Sequence, residues 1–211
     1  MHADLDRTLL SGEEIAARVA QIGRELSRDL EAAIASEGGS GAARNVPTGE
    51  LDTSSIVIIP IMTGALVFTA DLIRQMPLKL SLRVVAVSSY PGQSTQSKGA
   101  HLSSELPSDL AGKHVVLIDD ILDSGQTLAL VRELVEARGP ASVRVAVLLK
   151  KPRSRRVREV RAEYVGFEIP DEFVVGYGLD FDGYYRNLPQ IATLKPEVAT
   201  NPSGVHEGNN A

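Results

Sequence analysis

The sequence predicts an α/β domain, with a central, mainly parallel sheet of about five strands flanked by helices. Three observations predict it. Short aliphatic runs, each long enough for one buried strand, alternate along the chain with segments of helical periodicity, the pattern of a parallel sheet covered by helices. Aromatic residues are 4% of the chain and hydrophobic residues 43%, so the core must be built from Val, Ile, Leu and Ala. A length of 211 residues suits one domain, residues 1–211.

The elements follow in order. "MHADLDRTLLSGEE" has no basic segment followed by an apolar one, so no signal peptide is expected. Ser11 reads as an N-cap with Glu14 at the capping-box position. Behind it Ile15, Val19, Ile22, Leu26 and Leu30 recur on one helix face. Residues 36–54, "SEGGSGAARNVPTGELDTS", are polar and glycine-rich and read as a linker or surface loop. "SIVIIPIM" is a buried strand, and "GALVFTADLIRQM" a helix stopped by Pro77. "LSLRVVAVSS" is the next strand. Residues 88–109, "SSYPGQSTQSKGAHLSSELPSD", form a long polar loop of the kind that is functional or disordered. "KHVVLI" is a strand, "QTLALVRELVEARG" a helix with Gly139 as its C-cap, and "SVRVAVLLK" a strand. "YVGFEIPDEFVVGYGLDFDGYYRNLP" is aromatic and rich in turns, and residues 196–211 are expected to be a disordered tail.

Composition narrows the function. A net charge of −5 argues against nonspecific nucleic-acid binding by the whole domain. The absence of cysteine excludes disulfides, thiolate catalysis and Cys-ligated zinc, and fits a reducing compartment. No apolar run approaches the roughly 18 residues that span a bilayer, so a cytoplasmic protein without membrane contact is expected.

The chemistry concentrates in "VVLIDDILDSGQT", residues 115–127. Ligands of open α/β sheets sit beyond the carboxyl ends of the strands, where Asp119 and Asp120 fall. Gly125 allows a tight turn, and residues 123–127 lead into a helix whose first amides have no partner and suit a phosphate. The hydroxyls of Ser124 and Thr127 can add donors. Aspartates cannot bind phosphate, but they can hold hydrated Mg²⁺ or accept hydrogen bonds from sugar hydroxyls. A phosphorylated ribose satisfies both halves. A receiver-type signalling domain would spread its aspartates over two strand ends. A Walker B strand would need GxxxxGK[ST], which the chain lacks.

"VVLIDDILDSGQTL" resembles the phosphoribosyl-pyrophosphate (PRPP) signature of type I phosphoribosyltransferases. "LLKKP", "YVGFEIPDEFVVGYGLDFDGYYRNLP" and "LLSGEEIAARVAQIG" extend the resemblance, over about residues 9–195, to the hypoxanthine phosphoribosyltransferases. The resemblance implies the type I phosphoribosyltransferase fold with a small hood from the N- and C-terminal segments. It implies Mg²⁺-dependent transfer of phosphoribose from PRPP to a 6-oxopurine, releasing pyrophosphate, by a homodimer or homotetramer. Asp119 and Asp120 then meet the ribose hydroxyls and metal-bound water. Asp123 lies near purine N7 as proton acceptor, and Asp123, Ser124, Gly125, Gln126 and Thr127 hold the 5′-phosphate. Lys151 donates to the 6-oxo group, Phe173 stacks on the base and the Val174 backbone meets its edge. Asp180 is a second magnesium ligand and Arg186 a pyrophosphate contact. Thr63 and Gly64 form the pyrophosphate turn, with a cis peptide at Met62–Thr63. Relatives often carry lysine or arginine at the Thr63 position, so this turn has backbone amides but one positive charge fewer. Ser89 and Tyr90 match a mobile lid. Lys150 stands where many relatives have aspartate and reads as a solvated strand end.

One segment points elsewhere. "KKPRSRRVREVR", residues 150–161, carries seven basic residues. Some relatives of this fold regulate pyrimidine operons, binding RNA and keeping uracil phosphoribosyltransferase activity. The acidity of the whole chain and the purine-type motifs weigh against that alternative.

Overall fold

The structure is a computed structural model and describes residues 2–38, 52–88 and 101–199. The first strand, β1 (Leu5–Leu10), leads into helix α1 (Gly12–Gly38). The capping box closes as expected. The Ser11 N–H and hydroxyl donate to Glu14 Oε2 at 2.8 and 2.7 Å, and the Glu14 N–H donates to Ser11 Oγ at 3.2 Å. The stripe Ile15, Val19, Ile22, Leu26, Leu30 is buried throughout. Helix α1 continues three residues into the segment expected as linker; residues 39–51 lie outside the described residues.

Next come β2 (Ile56–Met62), α2 (Leu66–Ile73), β3 (Leu80–Leu82), β4 (Val85–Ser88) and β5 (His101–Leu102). They are followed by β6 (His114–Leu122), α3 (Gln126–Glu136), β7 (Ser142–Lys150) and β8 (Tyr164–Glu168). The chain closes with β9 (Val174–Val175), β10 (Ile191–Leu194) and a helical turn, α4 (Pro196–Ala199), where the disordered tail was expected to begin.

The central sheet runs β5-β4-β2-β6-β7-β8, with β3 also on β2. All its pairs are parallel except β4–β5. The single strand expected at 80–89 is interrupted. Leu82 pairs with Ile58 and Val85 with Ile61, so the register is kept across a gap opposite Ile59 and Pro60. Proline has no N–H to give a ladder there. Alternate residues of each strand serve opposite layers. Ile56, Ile58, Val116, Ile118, Ala146 and Leu148 pack with α1 and α2. Val57, Ile59, Val115, Leu117, Val145 and Val147 pack with α3.

A second sheet, β1-β10-β9, is antiparallel and joins the two ends of the chain. It carries Val174 and the loop after it to the carboxyl edge of the main sheet, against the turn that follows β2. Among the described residues no helix is long and apolar enough to cross a membrane.

Candidate active site

Strand β6 does not end at Ile118, as expected, but runs through both aspartates to Leu122. Its pairing with β7 continues from Asp119↔Val147 to Leu122↔Lys150. The strand therefore carries two carboxylates into the core's edge. Asp119 is 7% exposed. Burial, and then the charge of Asp120, push its carboxyl well above the usual carboxylate range; burial also raises Asp120. The charge that partly offsets this on Asp120 is the Arg186 guanidinium.

Beside the pair lies the turn after β2, with the cis peptide Met62–Thr63 expected from the resemblance. Gly64 is there for lack of a side chain: a Cβ would stand 1.8 Å from Asp120 Oδ2. Thr63 is exposed, and its carbonyl accepts the Leu66 N–H at the start of α2.

Beyond β6 the chain turns through Gly125 at φ 79°, a conformation that favours glycine. A Cβ at Gly125 would also meet the Arg158 carbonyl at 2.1 Å. Helix α3 starts here without a side-chain cap beyond a long Gln126 N–H to Ser124 Oγ contact of 3.4 Å, so its first amides stay available. Gly64, Asp119, Asp120, Asp123, Ser124, Gly125 and Thr127 line one cavity of about 240 Å³.

A cluster of charges adjoins it at Asp123. Lys151, 9% exposed, lies 3.8 Å from Asp123 and 3.6 Å from Asp171. Arg155 Nε sits 3.3 Å from Asp123 and 3.5 Å from Asp171, so two cations and two carboxylates alternate around a ring. Phe173 is 53% exposed, one ring edge-to-face with Phe181 at 5.7 Å and 78°. A phenylalanine so open beside a cluster of charges is not core packing.

Among the described residues no group of three or more metal-binding side chains forms, so Asp180, expected as the ligand of a second magnesium, makes no cluster with Asp119 and Asp120. Asp180 instead accepts from the Gly183 N–H at 2.8 Å and pairs with Arg186 at 2.7 Å. Arg186 also donates to the Gly178 carbonyl at 2.6 Å, which ties it to the hood loop. Ser89 and Tyr90, the expected lid, lie outside the described residues.

The basic run is consumed locally. Lys150 meets Glu168 at 2.7 Å, Arg153 Glu159, Arg158 Glu133 and Arg161 Glu163. Arg156 donates to the carbonyls of Leu122, Asp123 and Lys151, clamping the phosphate turn to the end of β7. Arg155, Arg156 and Asp171 were not expected as site residues. The signal for the two arginines was the basic run itself, read as surface, and that for Asp171 its place in "EIPDEF".

A strand-end acidic pair, a glycine turn opening a helix and a hood carrying an exposed ring define a phosphoribosyltransferase, and residues 32–182 match the family described as "Phosphoribosyl transferase domain". The hypoxanthine-guanine phosphoribosyltransferase of Mycobacterium avium is 39% identical over 92% of this chain and 88% of that protein. That of Staphylococcus aureus is 37% identical over 95% of this chain and all of its own length. A crystal structure of a Staphylococcus aureus hypoxanthine phosphoribosyltransferase superposes with TM-score 0.78 at 39% identity, covering 94% of this chain and 96% of that one. The chain belongs to the hypoxanthine-guanine phosphoribosyltransferase family and is an enzyme of phosphoribosyl transfer.

Proposed function

We propose that the enzyme salvages 6-oxopurines in the cytoplasm as a homodimer or homotetramer, converting hypoxanthine or guanine and PRPP to IMP or GMP and pyrophosphate. The observation that carries the choice of base is Lys151. Its buried ammonium stands beside Asp123, the first residue of the amide-lined turn. An ammonium only donates, so it accepts a 6-oxo group and leaves adenine's 6-amino group facing another donor.

In this reading the 5′-phosphate lies on the amides and hydroxyls of Asp123–Thr127, and the ribose hydroxyls meet Asp119 and Asp120. The base lies between Phe173 and the Val174 backbone. Purine N9 bonds to the anomeric carbon as the bond from that carbon to the pyrophosphate oxygen breaks. Asp123 takes the proton that the base releases at N7. Arg186 and the backbone amides at Thr63–Gly64 receive the charge growing on pyrophosphate.

The Asp119–Asp120 pair would hold a Mg²⁺ ion, because a buried and a half-buried carboxylate lie side by side and raise each other's need for positive charge beyond that of the Arg186 guanidinium. Such an ion supplies positive charge to the leaving pyrophosphate. Asp180, if it takes a second ion, must share its carboxylate with Arg186.

The test is an assay of PRPP with hypoxanthine, guanine, xanthine, adenine and uracil, each with Mg²⁺ and with excess EDTA. Nucleotide should form from 6-oxopurines and only with Mg²⁺. Adenine or uracil as best substrate overturns the base assignment, and turnover in chelator overturns the metal.

A further inference from the structure

We propose that Tyr177 and Asp71 form a positioning pair that sets the spacing between the base-holding loop and the pyrophosphate turn. The inference rests on the roles given above to Phe173, Val174 and the Thr63–Gly64 turn. Tyr177 is not glycine, yet it holds a left-handed conformation, φ 48°, between Gly176 at 103° and Gly178 at 105°. Its side chain is buried in the core that α1 and α2 share, and its hydroxyl donates to Asp71 Oδ2 at 2.5 Å. Burial and the Asp71 carboxylate push the phenol pKa up, so the hydroxyl stays a donor. Asp71 lies on α2, the helix that starts two residues after Gly64. It also pairs with Arg74 at the helix end.

The same loop touches the turn directly. A Cβ at Gly178 would stand 2.2 Å from the Gly64 carbonyl oxygen. The hood loop is thus fastened twice, once on the turn and once on the helix that the turn begins. Val174 lies three residues before Tyr177, and Arg186 grips Gly178 just after it. Loss of the pair therefore lets the Gly64 turn and its helix slip relative to the base wall and the Arg186 contact, which stay together. Turnover needs both ends in register across the anomeric carbon, and misplacement by about 1 Å costs roughly 10²-fold in rate. Binding of the product nucleotide alone needs only the base wall and the amide turn.

The experiment compares Tyr177→Phe, Asp71→Ala, Asp71→Asn and the Tyr177→Phe/Asp71→Ala double variant. It reads kcat, the Kd of IMP without pyrophosphate, and Tm. Asp71 is half-buried on its helix, so its variants stand even if Tyr177→Phe folds poorly. Tyr177→Phe and Asp71→Ala should each lower kcat about 10-fold, a part of the 1 Å penalty, and raise the KM for PRPP. The double variant should be no worse than either single, and Asp71→Asn, whose amide oxygen still accepts, should recover most of the loss. IMP affinity should stay within about 3-fold in all of them. The pair is overturned by kcat within 2-fold of the parent in both single variants, by losses that multiply in the double, or by IMP affinity falling in step with kcat. A parent enzyme that makes no IMP from hypoxanthine overturns the functional reading itself, a result seen before any variant is made.

Discussion

Replacing Asp119 with asparagine should make the ligand-free enzyme more stable at neutral pH while disabling it. Asp119 is 7% exposed and borders a second carboxylate. Burial and that neighbour hold its folded pKa well above the 3.8 of an ordinary aspartate. The folded state therefore keeps a proton that the unfolded chain gives up. The stability this group contributes is full below about pH 3.8 and is lost as pH rises through the elevated folded value. Asparagine carries no charge at any pH, and its Oδ1 can still accept the Asp120 N–H, now at 3.1 Å. Each pKa unit of that displacement is worth about 1.4 kcal/mol at a pH above both values, so the variant should be the more stable protein at pH 8. For a domain of this size each kcal/mol gained raises Tm by roughly 2–4 °C. Thermal melts from pH 4 to pH 8 in EDTA should show the two proteins together at the acid end and diverging upward. Steady-state kinetics should show kcat/KM for PRPP down by roughly 10–10²-fold, the loss of a hydrogen bond to a charged group. A variant no more stable than the parent at pH 8, or equally favoured at both ends, refutes the reasoning.

Asp123→Asn should lower kcat by ~10²-fold with PRPP binding kept, as for loss of a general base; undiminished kcat in a saturating assay removes Asp123 from the chemistry. Lys151→Ala should cost ~10²-fold in kcat/KM for hypoxanthine, whereas Lys150→Ala should change little, because Lys150 turns to Glu168 instead. The reverse ranking would put the base on the wrong side of β7. Gly178→Ala places a Cβ 2.2 Å from the Gly64 carbonyl oxygen at φ 105°; relief needs about 1 Å, so kcat should fall ~10²-fold, and full activity would deny the close approach.

What could be read in advance follows from locality. The capping box at Ser11, the stripe on α1 and the strand at 142–150 are short-range signals, and each reappears where it was expected. The acidic turn was legible because one loop holds nearly all of it. The hood was expected only through the family resemblance, since β1 pairs with β10 across nearly the whole chain and neither has a local pattern that names its partner. Arg155 and Asp171 stayed hidden for a similar reason. An ion pair between residues 16 apart has no periodicity, and a run of arginines reads as solvated surface until its acids are found. The partner of Asp180 was hidden in the same way: its place in a motif marked Asp180 as a ligand, and the fold sets Arg186 against it.

The pairing of β1 with β10 has a consequence for how the enzyme is made. Translation delivers Leu5–Leu10 long before Ile191–Leu194. The main sheet, finished by β8, can collapse on the nascent chain while β1 still waits for its neighbour. The hood, and with it Val174, Phe173 and the grip of Arg186, forms only once Ile191–Leu194 has been made and can pair with β1 and β9. A chain cut short before residue 191 can therefore hold the acidic turn and most of the aliphatic core, without Ile191, yet lack the sheet that carries the wall on which a purine would rest.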